Sequence, residues 1–191
     1  MDLIEQRIRE SIETKQRLLA DPEIKTQLAK GAEAMLACYR THAGTVYFCG
    51  NGGSAADAQH LAAELVSRFY LERRGLASQA LTVNTSVLTA IANDYDYERI
   101  FTRQVEAFVK PGDVLVGLST SGNSKNVLGA LQAAKARGAF TLGLTGASGG
   151  QMKAQCDVCI CVPSSDTPRI QECHILLGHI LCEIVEARLA G

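Results

Sequence analysis

The chain has 191 residues, 47% of them hydrophobic and 20% charged, with 19 Lys+Arg against 20 Asp+Glu; one substantial core and a single domain over 1–191 are expected. A formal charge of -1 supplies no chain-wide basic field, so neither nucleic acid nor an anionic membrane surface is an expected partner. No apolar run approaches the roughly 20 residues of a membrane helix, and the charged opening MDLIEQRIRESIE lacks a signal-peptide core, so a cytoplasmic protein is expected.

In chain order, Leu3, Ile4, Ile8, Ile12, Leu18 and Leu19 recur at roughly helical spacing over 3–19. Asp21-Pro22 then supplies an N-cap and a first-turn proline for a second helix, which carries Ile24, Leu28, Ala32, Met35 and Leu36 and ends near Thr41-His42-Ala43-Gly44. Beyond it the pattern changes to short runs rich in β-branched residues: TVYFC (45–49), ALTV (80–83), DVLVGLS (113–119), FTLGLT (140–145) and VCICVP (158–163), each separated from the next by a helical stretch. Near-continuous apolar strands alternating with helices predict an α/β fold, a doubly wound parallel sheet covered on both faces. A long last helix, about Pro168 to Ala190, has a wider apolar surface than a one-sided surface helix needs; it is either sandwiched in the fold or meets another subunit, and the oligomer is the expectation.

Seven cysteines, an odd number lying mostly in apolar runs, suit reduced and buried thiols. Cys156, Cys159 and Cys161 include a C-x-x-C, but a thiolate zinc site wants four ligands and no second pair follows, so the segment reads as a strand.

In open α/β sheets ligands bind beyond the carboxyl ends of the strands. Two loops stand there. Gly50-Asn51-Gly52-Gly53-Ser54 follows TVYFC, and Ser119-Thr120-Ser121-Gly122-Asn123-Ser124 follows DVLVGL, each directly before a helix. The second sets four hydroxyls and an Asn around a glycine at a helix N-terminus, where free N–H groups and the helix dipole favour an anion; this reads as a phosphate cradle, against simple helix capping. No G-K-[ST] follows, so a sugar phosphate fits better than a nucleotide. Gly50, Gly52 and Ala55 match a relaxed dinucleotide spacing, but ALTV runs into Asn84-Thr85-Ser86 without the acid that would hold a ribose.

His60 and Glu64 stand four apart on the helix after the first loop and face one side, as an acid–base pair, as two ligands of one metal or as a plain surface contact. The last helix supplies Gln171, Glu172, His174 and His179; Gln171 and His179 are eight residues apart, hence about 12 Å along a helix and about 80° around it. Asn93-Asp94 ends an apolar helix, Arg68, Glu72, Arg73 and Arg74 read as a solvated face, and Cys173 and Cys182 bracket His179 closely enough to make thiol oxidation a route to inactivation.

Together CGNGGSAADAQHLAAEL, LTAIANDY, GDVLVGLSTSGNS, LTGASGG and DTPRIQECHILLGHILCEIVE resemble the sugar isomerase (SIS) domain family over nearly the whole chain. The resemblance implies a five-stranded parallel sheet between helices, with the N-terminal helices of 1–43 packing a homotetramer whose sites lie at subunit boundaries and 44–191 forming the α/β core. It also implies an enzyme that converts sedoheptulose 7-phosphate to D-glycero-D-manno-heptose 7-phosphate on the way to bacterial surface heptose. By motif, Ser119, Thr120, Ser121 and Ser124 hold the phosphate, while Asn51, Gly52, Gly53, Asn93 and Asp94 line the sugar, together with Glu64 and Gln171. His60, Glu64, Gln171 and His179 are the implied ligands of one Zn²⁺ per subunit, with Glu64 and His179 also the catalytic pair. The alternative is a non-catalytic member of the family, a sugar-phosphate sensor or a regulator that binds the replication initiator. Such regulators resemble the chain in its loops but lack the carboxylate and histidine present here as Glu64 and His179.

Overall fold

The computed structural model describes residues 2–190. Two helices, α1 (Leu3–Ala20) and α2 (Pro22–Thr41), come first, and each opens on an aspartate: Asp2 accepts the Ile4 N–H, and Asp21 accepts that of Glu23 at 2.8 Å. Strands and helices then alternate as β1 (Val46–Gly50), α3 (Gly53–Val66), β2 (Ser78–Ala80), α4 (Thr85–Asp94), α5 (Thr102–Phe108), β3 (Val114–Leu118), α6 (Lys125–Ala136), β4 (Phe140–Thr145), α7 (Met152–Gln155), β5 (Val158–Cys161) and α8 (Thr167–Leu189). A short 3-10 turn, Tyr97–Arg99, joins α4 to α5.

All five strands are parallel, in the order β2-β1-β3-β4-β5. This is the expected doubly wound sheet. Along each strand successive side chains go to opposite faces: Val46 and Phe48 join Val114, Val116, Leu142 and Leu144 in the core under α2, α3 and α8, whereas Tyr47, Cys49 and Leu115 join the core under α5 and α6. The chain winds from β1 to one edge and from β3 to the other, so the sheet's switch point lies between β1 and β3. Register sets Gly50 beside Leu118 and Leu118 beside Leu144, which starts the loops after β1, β3 and β4 at one level.

One strand differs from expectation. ALTV was read as 80–83, but β2 ends at Ala80, Leu81 donates once more to Phe48 at 2.9 Å, and the chain turns away at Thr82-Val83 with Val83 exposed. At a sheet edge no second neighbour holds an apolar run in place, so the run there spills into the turn. The width of α8 is largely used inside the chain, since Ile170, Leu177, Leu181, Cys182 and Val185 are buried in the core it shares with α2 and α3. The seven cysteines are free, yet Cys156, Cys159 and Cys161 are only half-buried, contrary to the expectation of buried thiols throughout.

Candidate active site

The helices α3 and α8 cross where Gly178 meets Leu61: a Cβ on Gly178 would stand 2.5 Å from Leu61 Cδ1. The glycine is what lets the two backbones come so near. The residues flanking this crossing, His60 and Glu64 on α3 and His179 on α8, therefore converge. His60 Nε2 lies 3.0 Å from Glu64 Oε1 and 3.1 Å from His179 Nε2, and one donor atom from each of the three falls within 4.8 Å of the others. Phe69 closes one side, its ring centroid 5.6 Å from that of His179. Asp57, one turn before His60, has a carboxyl oxygen buried without a partner; burial raises its pKa and the charge of a protonated His60 opposes the rise.

The loop after β3 forms a second centre. Ser119, almost fully buried, shares a hydrogen bond with Ser124 at 2.9 Å, Oγ to Oγ. Ser124 stands at the N-cap of α6 without capping it through its side chain, so helix capping is not what this hydroxyl does. Gly122 takes φ +66°, and a Cβ there would strike the Gly149 carbonyl at 2.2 Å, so the loop is pressed on the one following β4. Between them opens a cleft of about 280 Å³ lined by Thr120 and Ser121 on one side and Ser148, Ser164 and Ser165 on the other. Those last three hydroxyls were not singled out in the sequence; their position in the loops after β4 and β5 was the available signal.

The loop after β1 is braced rather than free. Asn51 and Asn126 exchange amide hydrogen bonds at 2.9 Å in both directions, and the Tyr97 hydroxyl donates to Asn51 Oδ1 at 3.1 Å. Asn93 donates to Asp94 at 2.9 Å at the end of α4, both exposed, and it is Tyr97, a few residues on, that reaches the loop. Gln171 lies over Gly53, where a Cβ would stand 2.6 Å from its Nε2. In one chain, then, Gln171 lies at the β1 loop, over a residue two turns of α3 before His60.

Two expectations are corrected here. Arg73, read as part of a solvated face, is buried to 5% exposure of its side chain against Glu186. Cys173 and Cys182 are both buried, and burial raises both thiols, Cys182 to about 12, so they stay protonated and closed to oxidants beside His179.

The chain, a helix-flanked parallel sheet with a serine-rich loop at its switch point, belongs to the SIS domain family, whose pattern matches residues 9–146. Within that family it is similar to the phosphoheptose isomerase of Clostridium acetobutylicum, 53% identical over 190 residues covering 100% of this chain and 96% of that protein. Among solved structures it is similar to phosphoheptose isomerases from Neisseria gonorrhoeae, at TM-score 0.88 and 45% identity with 95% of this chain and 97% of that chain covered, and from Francisella tularensis, at 0.90 and 36% with 96% of each covered.

Proposed function

We propose that the protein catalyses the aldose–ketose isomerisation of sedoheptulose 7-phosphate to D-glycero-D-manno-heptose 7-phosphate, the step that supplies heptose for nucleotide-activated precursors of bacterial surface glycans. The observation that carries the reading is the carboxylate of Glu64 held beside two imidazoles, His60 at 3.0 Å and His179 next to it, in a chain more than half identical to a phosphoheptose isomerase. Such a carboxylate is what a catalyst of proton transfer needs and a mere binding module does not.

Moving the carbonyl from C2 to C1 requires one proton to leave C1 and arrive at C2, while another passes between the two oxygens. Glu64 takes the carbon-bound proton as base and returns it as acid. His179 carries the proton between oxygens and assists ring opening. Ser119, Thr120, Ser121 and Ser124 hold the phosphate at the N-terminus of α6, where the helix dipole favours its charge. Asn51, Gly52, Gly53, Asn93, Asp94 and Gln171 line the sugar, with Asn51 kept in orientation by Asn126 and Tyr97.

The convergence of two imidazoles and a carboxylate within 4.8 Å fits one Zn²⁺ per subunit, although this donor set suits other divalent metals too. Bound there, the ion would supply Lewis acidity to the oxygens that gain charge as the carbon-bound proton leaves. Gln171, lying over Gly53, is the fourth proposed ligand of that ion.

A homotetramer with sites at its subunit boundaries is part of the proposal, with residues 1–43 packing the assembly around the 44–191 cores. Leu3, Ile4, Ile8 and Ile12 of α1 lie half or more exposed along one helix, an apolar stripe that an assembly would cover. We place the enzyme in the cytoplasm, where free thiols stay reduced and phosphorylated sugars are kept. Among the described residues no helix is long and apolar enough to cross a membrane.

The test is a coupled assay of purified protein with sedoheptulose 7-phosphate, with metal content and native mass measured on the same sample, for wild type and Glu64→Gln. Turnover by wild type, loss of turnover with retained sugar-phosphate binding in the variant, and a mass of four 20.4 kDa chains are expected. No turnover by wild type supplied with zinc would falsify the isomerase and leave a sugar-phosphate-binding module.

A further inference from the structure

The segment between α3 and β2 and the far half of α8 hold a buried charge pair that the chemistry above does not use. Glu186 is 1% exposed and spends its two oxygens on three consecutive backbone N–H groups, those of Phe69 at 2.8 Å, Tyr70 at 2.6 Å and Leu71 at 2.8 Å. Arg73 Nε lies 3.1 Å from the same carboxylate. Burial acts to raise the Glu186 pKa, but the three N–H groups and the guanidinium outweigh it and hold the carboxyl low, so the pair is charged.

The other edge of the Arg73 guanidinium turns to α3. Its Nη2 donates to the Glu64 carbonyl at 2.9 Å, and its Nη1 to those of Leu65 at 2.9 Å and Ser67 at 2.7 Å. These are carbonyls of the last turn and the residue beyond it, which a helix leaves without internal partners. One guanidinium thus caps α3 at Glu64 and binds α8 at Glu186. Glu186 stands seven residues, two turns, beyond His179 on the same helix face. The residue whose N–H it holds, Phe69, rests its ring against His179. A solvated arginine would serve none of these contacts, and an apolar pair would hold the helices without orienting them.

We propose that Glu186 and Arg73 are positioning residues, a clamp that sets Glu64 on α3 against His179 on α8 in the arrangement the isomerisation needs. The inference deepens the proposed reaction and rests on it for its catalytic consequence, while the geometry it predicts can be tested without turnover.

The experiment compares wild type with Glu186→Gln, which keeps the shape and removes the charge, and with Arg73→Lys, which keeps a charge beside Glu186 and loses the fork on the α3 carbonyls. Two quantities are read per folded subunit. The first is the split of kcat and KM on sedoheptulose 7-phosphate. The second is the set of imidazole resonances of the metal-free protein, in which only four histidines need assignment. For either variant that folds, kcat is expected to fall about 10- to 100-fold with KM within about twofold, because the phosphate loop lies elsewhere. His60 and His179 resonances move while that of His42 stays. Should wild type show no turnover, the reaction fails but the resonances still decide the clamp. The proposal is overturned by unmoved His60 and His179 resonances, by kcat within twofold of wild type in an active enzyme, or by a KM that rises while kcat holds. A variant that merely unfolds at lower temperature with full kcat per folded subunit also overturns it.

Discussion

The two centres of the site are built by different means. The loop centre, Ser119–Ser124 with the loops after β1 and β4, is made where parallel strands end in register, and its parts are backbone turns, hydroxyls and glycines at positive φ. The helix centre, His60, Glu64 and His179, is made where two helices cross at a glycine, and its side chains come from two segments more than a hundred residues apart in sequence. The first needs only the sheet to exist. The second needs a particular crossing to be held, which is why a buried ion pair and three N–H groups gather behind it.

Lesions in the two centres are expected to separate kinetically. Glu64→Gln removes the carbon-proton carrier and should lower kcat by about 10²- to 10⁴-fold while sugar-phosphate binding, measured by calorimetry, stays within a few-fold. Equal loss of binding and turnover would show that the centres do not divide the work.

Acid should act on the floor beneath the loop centre. His174, on α8 four residues after the cleft-lining Ile170, is 0% exposed, and burial lowers its pKa to about 4 against the smaller opposing effect of the Thr145 backbone. The unfolded chain takes up this proton near the ordinary value of about 6.5 and the folded chain only near 4. The stabilisation is therefore present above about 6.5 and is lost as pH falls from there to about 4, roughly 3 kcal/mol from this group. Denaturant unfolding of His174→Leu across that window should show a shallower pH slope than wild type. Parallel curves would mean the ring is protonated in the fold.

At the crossing itself, Gly178→Ala places a methyl 2.5 Å from Leu61 Cδ1. Overpacking of this kind costs about 1–3 kcal/mol, read as a lower denaturation midpoint, and it should reduce kcat more than KM because the helices part at His179. A variant as stable and as active as wild type would show that Leu61 gives way freely.

This contrast also explains what was legible in the sequence. The alternation of apolar strands and helices, both loops and the separate members of the helix centre could all be read, because each depends on local spacing. That His179 meets His60 could not be read from spacing alone, since it depends on where two helices cross. Arg73 looked like one of a run of surface charges, and Glu186 was not singled out at all; only packing makes them partners. β2 was misplaced because an edge strand's apolar run is not held by neighbours on both sides. Ser148, Ser164 and Ser165 had a weak local signal, their place after β4 and β5, which the more concentrated serine loop overshadowed.

The mildest expected effect tests how much of the loop centre resides in its side chains. Ser121 is exposed at the cleft and its Oγ accepts the Asn123 N–H at 3.1 Å, while Ser119 and Ser124 are bonded to each other. Ser121→Ala removes one hydroxyl but leaves the backbone amides of the loop and the end of α6 in place. A hydrogen bond to a charged phosphate contributes about 1.5–3 kcal/mol, less where amides and water take over. KM for the sugar phosphate is expected to rise about tenfold at most, with kcat within about twofold. Because Ser119 and Ser124 are each other's partner, removing either should cost more than Ser121 does, since its fellow hydroxyl, on a buried Ser119 or a half-buried Ser124, loses a bond. If all three alanine variants raise KM equally, the hydroxyls act as independent ligands of the phosphate; if Ser119→Ala and Ser124→Ala exceed Ser121→Ala, the loop's shape counts for more than its contacts.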